Sequence, residues 1–500
     1  MSSLPFSRIP GLNNLFLDFI YNFEKVADLY PAADQIPDYE ILHRGELCDI
    51  LQRQNDSFGN EAAGALIEKL RKAGVRCLIT GQQVGLLCSP MYTLWKALTA
   101  IHWSRQFEAK GIPCVPVFWM ATEDHNLHEI TSFALLKQNN EMLQFSLKEH
   151  LFLKRQPTGT VQTEDAEIRK VLIRAFAEMK IPEIRSFYSG TNLAHAFART
   201  LLWLLKDFPV LIVDPSDPAL KKLASPFFGK IVDKVNYLLD LLDQQNANLK
   251  ERNYPVQVQM EEDRLPLFRI VKDERIPVHR GEADQPAEEL SPSALLRPLF
   301  QDYLFPTLGY TAGPAEIAYF AQLHPWYEAL EMVQPQLFSR ASLTLIPAST
   351  RSFLSINRLN PEEIYLPEDT LIDALLDHEG MKQTRKEIKD LRNVLNASLP
   401  AIQKNAISID PTLEKGLGTA FRKMEYQLTK MDRKAFLAAK RKNLLLANQI
   451  RKAKNVIYPD EKLQERYLSI FSFAPKLPEM IRQVYDQIQW DARAHQFIDV

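Results

Sequence analysis

Three segments of this sequence share one pattern: a short apolar run that breaks into polar residues at a tight turn. They are "RCLITGQQVG" from Arg76, "VFWMATEDHN" from Val117 and "PVLIVDPSD" from Pro209. Unbroken apolar runs bounded by turn residues are what strands look like when a parallel sheet is covered on both faces. The stretch between the first two reads as an amphipathic helix. Ser89 is its expected N-cap and Pro90 its first residue. Met91, Leu94, Trp95, Leu98 and Ile101 fall on one face, and Gly111 is the expected stop. Strand, helix and strand in that order form a right-handed parallel crossover, so the chain is expected to be an α/β protein. Pro113 and Pro116 predict that the ladder of the second strand begins late.

Around this frame the chain organises into further blocks. Residues 1–60 read as mixed helix and loop. A mostly helical insertion is expected at about 131–205, and a β-hairpin excursion within about 251–290. Residues 290–323 read as a return to helices, with Ser291–Pro292 and Gly313–Pro314 as start signals. Farther on, Leu417, Phe421, Met424, Leu428, Met431 and Ala435 recur at spacings that alternate between four and three. Ile388, Leu391, Leu395, Leu399 and Ile402 do so less regularly. Two such helices joined near Ser408–Pro411 predict a coiled-coil hairpin. The expected domains are a core over 1–365, the hairpin over 366–456 and a closing segment over 457–500 that packs back on the core.

In an open parallel sheet, ligands collect beyond the carboxyl ends of the strands. Three strands ending in "TGQQVG", "ATEDH" and "DPSD" therefore nominate Thr80, Gly81, Gln82, Gln83, Glu123, Asp124, His125 and Asp214. Gly81 and Gly85 ease a sharp turn, and the following helix offers free N–H groups to an anion. Amide side chains add donors and acceptors without charge. The turn is neither a phosphate loop nor the dinucleotide fingerprint, and a capped structural loop is the plainer reading. His125 beside a carboxylate is a candidate general base with a pKa near neutrality. A metal site through Asp124, His125, His128 and Glu129 matches no familiar helical zinc spacing. Arg297 interrupts an apolar helix pattern, where a buried Arg needs an anionic partner. Glu316 stands in the first turn of a helix, a favourable position with or without a function.

Together these segments resemble the bacillithiol biosynthesis cysteine-adding enzyme family. The resemblance is carried by Thr80 to Ile101, by "PVFWMATEDHNLHEI" (Pro116 to Ile130), by Leu290 to Leu323 with its "LLRP", "QD" and "GPAEIAY", by "FSRASLTLI" (Phe338 to Ile346), and by the ending from Phe473. It implies a Rossmann-type core with connecting-peptide insertions, similar to class I aminoacyl-tRNA synthetases, and a coiled coil that promotes a homodimer. It implies that cysteine is joined by an amide bond to glucosaminyl malate. It also implies that Gln82, Gln83, Glu123, Asp124 and His125 line the pocket, with Arg297 and Glu316 close by. ATP or another nucleotide is the expected cosubstrate, since an amide needs an activated carboxylate. The expected anion stabiliser is the helix starting near Ser89, and the expected base is His125 or Glu123. Val84 stands where the family commonly has proline, Leu87-Cys88-Ser89 replaces a more Gly-rich stretch, and Asn126 and His128 replace acidic residues. The synthetase-like His-x-Gly-His and Lys-Met-Ser-Lys-Ser signatures are absent.

Other classes compete less well. A net charge of -2 gives no basic footprint for nucleic acid. No apolar run approaches the roughly 20 residues of a membrane span, and "LFLDFIY" lacks the basic flank of a signal peptide. Cys48, Cys77, Cys88 and Cys114 show no paired spacing, which favours reduced thiols and a cytoplasmic setting. The alternatives are a non-catalytic scaffold that dimerises through its coiled coil and a metal-dependent hydrolase.

Overall fold

In the computed structural model, which describes residues 2–31, 40–125, 132–147, 155–260, 264–282, 285–376, 379–474 and 477–500, a five-stranded sheet organises the larger part of the chain. Its strands are β1 (Arg76–Gln82), β2 (Cys114–Met120), β3 (Leu211–Val213), β4 (Thr307–Ala312) and β5 (Gln336–Ser339). They stand in the order β5-β4-β1-β2-β3, and every pairing is parallel. The chain runs outward from β1 through β2 to β3, then returns to the other flank of β1 to lay down β4 and β5. That reversal makes a topological switch point between β1 and β4, where a crevice opens at the strands' carboxyl ends. The crossover from β1 to β2 is α1 (Tyr92–Ala109). Helix α2 (Leu296–Leu304) precedes β4, and α3 (Pro314–Ala329) carries the chain from β4 towards β5.

The class is the expected one, with several local corrections. The sequence pattern places β4 inside a helical stretch, yet β4 pairs with both β1 and β5 in the interior of the sheet. Its sequence "TLGYTA" is short and contains a glycine, so it lacks the apolar continuity that marks β1 to β3. Ser291–Pro292 lies in a short strand rather than a helix start, while Gly313 does cap α3. Ser89 is not the cap of α1. The helix begins at Tyr92 after Met91, and the Ser89 hydroxyl bonds to nothing among the described residues. Nor is α1 one-faced, since Thr93 to Ile101 are all buried. The β2 ladder begins at Cys114, not late. Pro113 accepts from the Arg76 N–H (2.9 Å), so odd positions face β1 and Pro116 faces the flank where β3 pairs only from Val117.

The two insertions supply walls rather than new cores. The first opens with an antiparallel hairpin, Ser132–Leu136 with Met142–Ser146, before turning helical. The second pairs Arg264–Val271 with Glu274–His279 and adds Leu290–Pro292 on the other edge. Ser2–Pro5, Ala494–Asp499 and Leu343–Ile346 make a further three-stranded sheet.

Two compact units result, one of Met1–Ile346 with Lys462–Val500 and one of Pro347–Glu461. The division lies before the expected 365/366 because Ala348–Ile356 and Pro361–Tyr365 pack on the helix Leu444–Ile457. In the second unit α4 (Glu379–Ile409) and α5 (Leu413–Lys442) form the hairpin. Its helices run antiparallel, with Arg385 Nε on Asp432 (3.0 Å) and Arg392 Nε on Glu425 (2.6 Å).

Candidate functional site

Two cavities open at the carboxyl ends of the central strands and share a wall of Trp119, Ala121, Asp124, Ala294 and Arg297. The larger, of ≈ 400 Å³, lies at the switch point between the β1 and β4 turns. The smaller, of ≈ 290 Å³, is lined by Leu265, Leu267, Phe268 and Pro277 of the inserted hairpin and by the Glu123–Asp124–His125 corner.

The two glutamines after β1 divide between the neighbours of the turn, as successive side chains of an extended chain do. Gln82 donates from Nε2 to the Tyr92 hydroxyl (3.1 Å) and accepts from Lys96 Nζ (3.0 Å). Gln83 donates to Asp124 Oδ2 (2.6 Å), tying the β1 turn to the β2 turn. Gln83 Oε1 is buried with no partner among the described residues. Glycine is needed here for space. A Cβ on Gly81 would lie 2.9 Å from the Trp119 carbonyl oxygen, and one on Gly85 would lie 2.2 Å from that of Ser89.

The switch-point cavity is built around an ion pair between buried Lys96 and partly exposed Glu316. Lys96, on α1, uses its three donors on the Gly81 carbonyl (2.8 Å), on Gln82 and on Glu316 Oε2 (2.5 Å). Glu316 also accepts from the Gly313 N–H (2.8 Å) and, on Oε1, from the Tyr310 hydroxyl (2.8 Å). Burial favours its neutral form, but the Lys96 ammonium and the Gly313 N–H outweigh it and hold the carboxyl below the usual range. Arg297 finds no carboxylate within ion-pairing distance among the described residues. It donates to the Tyr319 hydroxyl (2.7 Å), the Tyr310 hydroxyl (3.3 Å) and Gln301 (3.2 Å). The expected anionic partner is thus replaced by phenols, with Glu316 one bond farther through Tyr310. Arg340 and Arg466 complete a lining with four cations against two carboxylates, Asp124 and Glu316.

The smaller cavity holds the opposite arrangement. Glu123 is buried and ion-paired with Lys221, itself buried. Burial pushes the Glu123 carboxyl above its ordinary range, against the pull of Lys221 and Arg275. His125 Nδ1 lies 3.2 Å from Arg275 Nη1. A guanidinium only donates, so Nδ1 accepts and neutral His125 carries its proton on Nε2. Burial and the Arg275 charge hold His125 below its usual pKa, with Asp124 opposing. Arg275 is fixed in turn by Ser291 Oγ (3.0 Å), the Pro292 carbonyl (2.5 Å) and the Phe268 ring (4.1 Å).

Of the nominated residues, Gly81, Gln82, Gln83, Glu123, Asp124, His125, Arg297 and Glu316 all line one or both cavities. Thr80 does not: it is fully buried and donates to the Thr311 carbonyl (3.0 Å) between β1 and β4. Asp214 does not either. Its Oδ1 accepts from the Ser216 N–H (3.0 Å) and hydroxyl (2.7 Å), which closes the β3 turn, and from Thr122 Oγ1 (2.5 Å), which ties that turn to the one after β2. His128 and Glu129 lie outside the described residues. Among those described, no group of three or more His, Cys, Asp or Glu is placed to hold a metal. Lys96, Lys221, Arg275, Arg340 and Arg466 escape the sequence pattern. Lys96 carries the same signal as Arg297, a cation inside an apolar helix. Arg275 carries none, because its position depends on where an inserted hairpin lands.

A doubly wound parallel sheet with a polar cleft at its switch point defines a Rossmann-like ligand-binding protein. The chain belongs to the bacillithiol biosynthesis BshC family. Residues 3–341 match "Bacillithiol biosynthesis BshC, N-terminal Rossmann-like domain", and residues 343–500 match the family's "C-terminal coiled-coil domain". The resemblance read from the motifs is thereby confirmed. The chain is similar to the "Putative cysteine ligase BshC" of Solibacter usitatus (strain Ellin6076), with 28% identity over 99% of this chain and 98% of that one. It is equally similar to the protein of that name from Salinibacter ruber (strain DSM 13855 / M31), at 28% over 99% and 98%. The namesake from Koribacter versatilis (strain Ellin345) is 28% identical over 95% and 94%. Among the described residues no helix is long and apolar enough to cross a membrane.

Proposed function

We propose that this protein is a ligase that joins L-cysteine by an amide bond to the amino group of glucosaminyl malate in bacillithiol biosynthesis. The observation that carries the reading is the adjacency of two unlike cavities: a small apolar one holding a buried carboxylate of raised proton affinity, and a cation-lined one at the switch point. The family and the printed names of its relatives supply the substrate class.

A carboxylate and an amine do not condense readily in water, and a nucleotide cosubstrate supplies the leaving group that makes the cysteine carboxyl reactive. The residues fit such a polyanion: Lys96 is paired with Glu316 and Arg340 with Glu465 (2.8 Å), while Arg297 and Arg466 have no carboxylate partner among the described residues and supply the excess of positive charge. The side chain of cysteine suits the apolar walls of Leu267 and Phe268, and its ammonium suits Asp124. Glu123 takes the proton shed by the attacking sugar amine, because burial brings its proton affinity closer to neutral pH. His125 is less suited to the role of base, because its Nδ1 lone pair is occupied by Arg275, leaving Nε2–H as a donor to a substrate oxygen. The α1 N-terminus contributes Tyr92 to the lining, while Ser89 lies outside this cavity.

We further place the protein in the cytoplasm as a homodimer joined through its coiled-coil hairpin. Met424 (48% exposed) and Met431 (53%) leave an apolar stripe on α5 that suits a second copy. Light scattering of Met424→Lys/Met431→Lys against the parent tests that contact, and an unchanged dimer mass overturns it. The reaction is tested by mass spectrometry of the purified chain with cysteine, glucosaminyl malate and ATP, and with each omitted in turn. Product only in the complete mixture supports the reading; no product in any mixture overturns it.

A further inference from the structure

A third cavity, of ≈ 540 Å³, adjoins the switch-point cavity and shares Tyr92 and Arg466 with it. Its far wall comes from the first insertion's hairpin, where Phe133 and Phe145 stack at 4.8 Å between ring centres. Lys462 and Arg466 line it, and no carboxylate does among the described residues. The Arg466 guanidinium brings to this cavity a positive charge that an anion would relieve. Arg466, which lines this cavity, makes no ion pair or hydrogen bond through its side chain among the described residues. Ser89 supplies the second, independent mark. It is 5% exposed, lines this cavity, and its hydroxyl has no partner among the described residues. A buried hydroxyl without a partner loses its hydration for nothing unless a ligand takes the hydrogen bond.

We propose that this cavity is a second oxyanion subsite, in which Arg466 forks onto a carboxylate or phosphate while Ser89 donates a hydrogen bond to it. The inference deepens the ligase reading and rests on it, for it gives one end of an elongated anionic substrate a place beyond the reaction cleft. Tyr92 and Arg466 line both cavities, so a group held by Arg466 lies beside the reaction cleft. Planar pairing favours Arg over Lys here, because guanidinium matches the geometry of a carboxylate or phosphate.

The test is calorimetry on the full chain with two probes, malate and inorganic phosphate, in the parent, Arg466→Gln, Arg466→Lys and Ser89→Ala. Malate binding that weakens about 10-fold or more in Arg466→Gln, less in Ser89→Ala, and is only partly rescued in Arg466→Lys supports a carboxylate subsite. The same pattern for phosphate alone assigns the subsite to a phosphate group of the cosubstrate, which also supports the proposal. No binding of either probe to the parent, or affinities unchanged in both Arg466→Gln and Ser89→Ala, overturns it. Because these titrations need no turnover, a chain that fails to incorporate cysteine can still pass them, which keeps the two readings separable.

Discussion

On one side of the wall formed by Trp119 and Asp124, the carboxylate of Glu123 faces Lys221 among apolar walls. On the other side, Glu316 is ringed by Lys96, the Gly313 N–H and the Tyr310 hydroxyl. Both are glutamates with a buried lysine as partner, Glu123 buried and Glu316 partly exposed, yet burial wins for Glu123 and raises its proton affinity, while the donors win for Glu316 and lower it. Neighbouring titratable groups whose environments push them apart are how a site divides proton transfer from fixed charge. Glu316 is the fixed charge that holds Lys96 and the glutamine turn in place; in the proposed reaction Glu123 is the group that exchanges a proton.

That contrast can be broken most sharply at Lys96. Lys96→Met leaves the partly exposed Glu316 without its cation, and a loss of about 2–4 kcal/mol in thermal or urea unfolding is expected. Adding Glu316→Gln should restore part of it; a single-variant loss below about 1 kcal/mol would mean that Glu316 does not depend on the pair. Next in size is Glu123→Gln, expected to lower cysteine incorporation by about 100-fold at saturating substrates, while a rate within a factor of two of the parent would remove the base from Glu123. Gly85→Ala follows, with a cost of about 1–3 kcal/mol in unfolding, because backbone must move to admit the new carbon; no loss would show that the turn has slack.

The smallest expected effect is a displacement in pH. A base acts when unprotonated, so the rate should rise with pH, and a raised proton affinity displaces that rise above the ordinary 4.5. The ascending limb should vanish in Glu123→Gln and persist in His125→Gln. A limb unchanged in both assigns the proton to another group.

Much of this is legible in the residues alone, and the reasons for the rest are specific. The strands β1, β2 and β3 announce themselves through apolar runs, and the turns after β1 and β2 stand out through the polar residues that line the two cavities. The inner strand β4 is hidden because a short strand with Gly309 and flanking helices has no periodicity of its own. Gly309 is required there, since a Cβ would lie 2.5 Å from the Phe338 ring. Asp214 ends a strand as Glu123 and Asp124 nearly do, but it spends its oxygen on its own turn, a choice local geometry makes and residue type does not. Arg275 and Lys221 become site residues only through long-range packing. The turn's strain is visible in part: Leu87 (φ 55) and Cys88 (φ 50) hold the left-handed region that glycine adopts freely.

The late arrival of β4 has a consequence for biosynthesis. Thr80 and Thr311, which meet across β1 and β4, are separated by 231 residues. At translation rates of about 5–20 residues per second, that gap lasts on the order of ten to fifty seconds. Throughout it, a ribosome-bound chain that has already made β1 carries an unclosed, apolar strand edge of the kind that recruits other nascent chains. Newly made protein should therefore lean on chaperones that shelter sheet margins, and slowing translation upstream of Thr307 should lower its soluble yield.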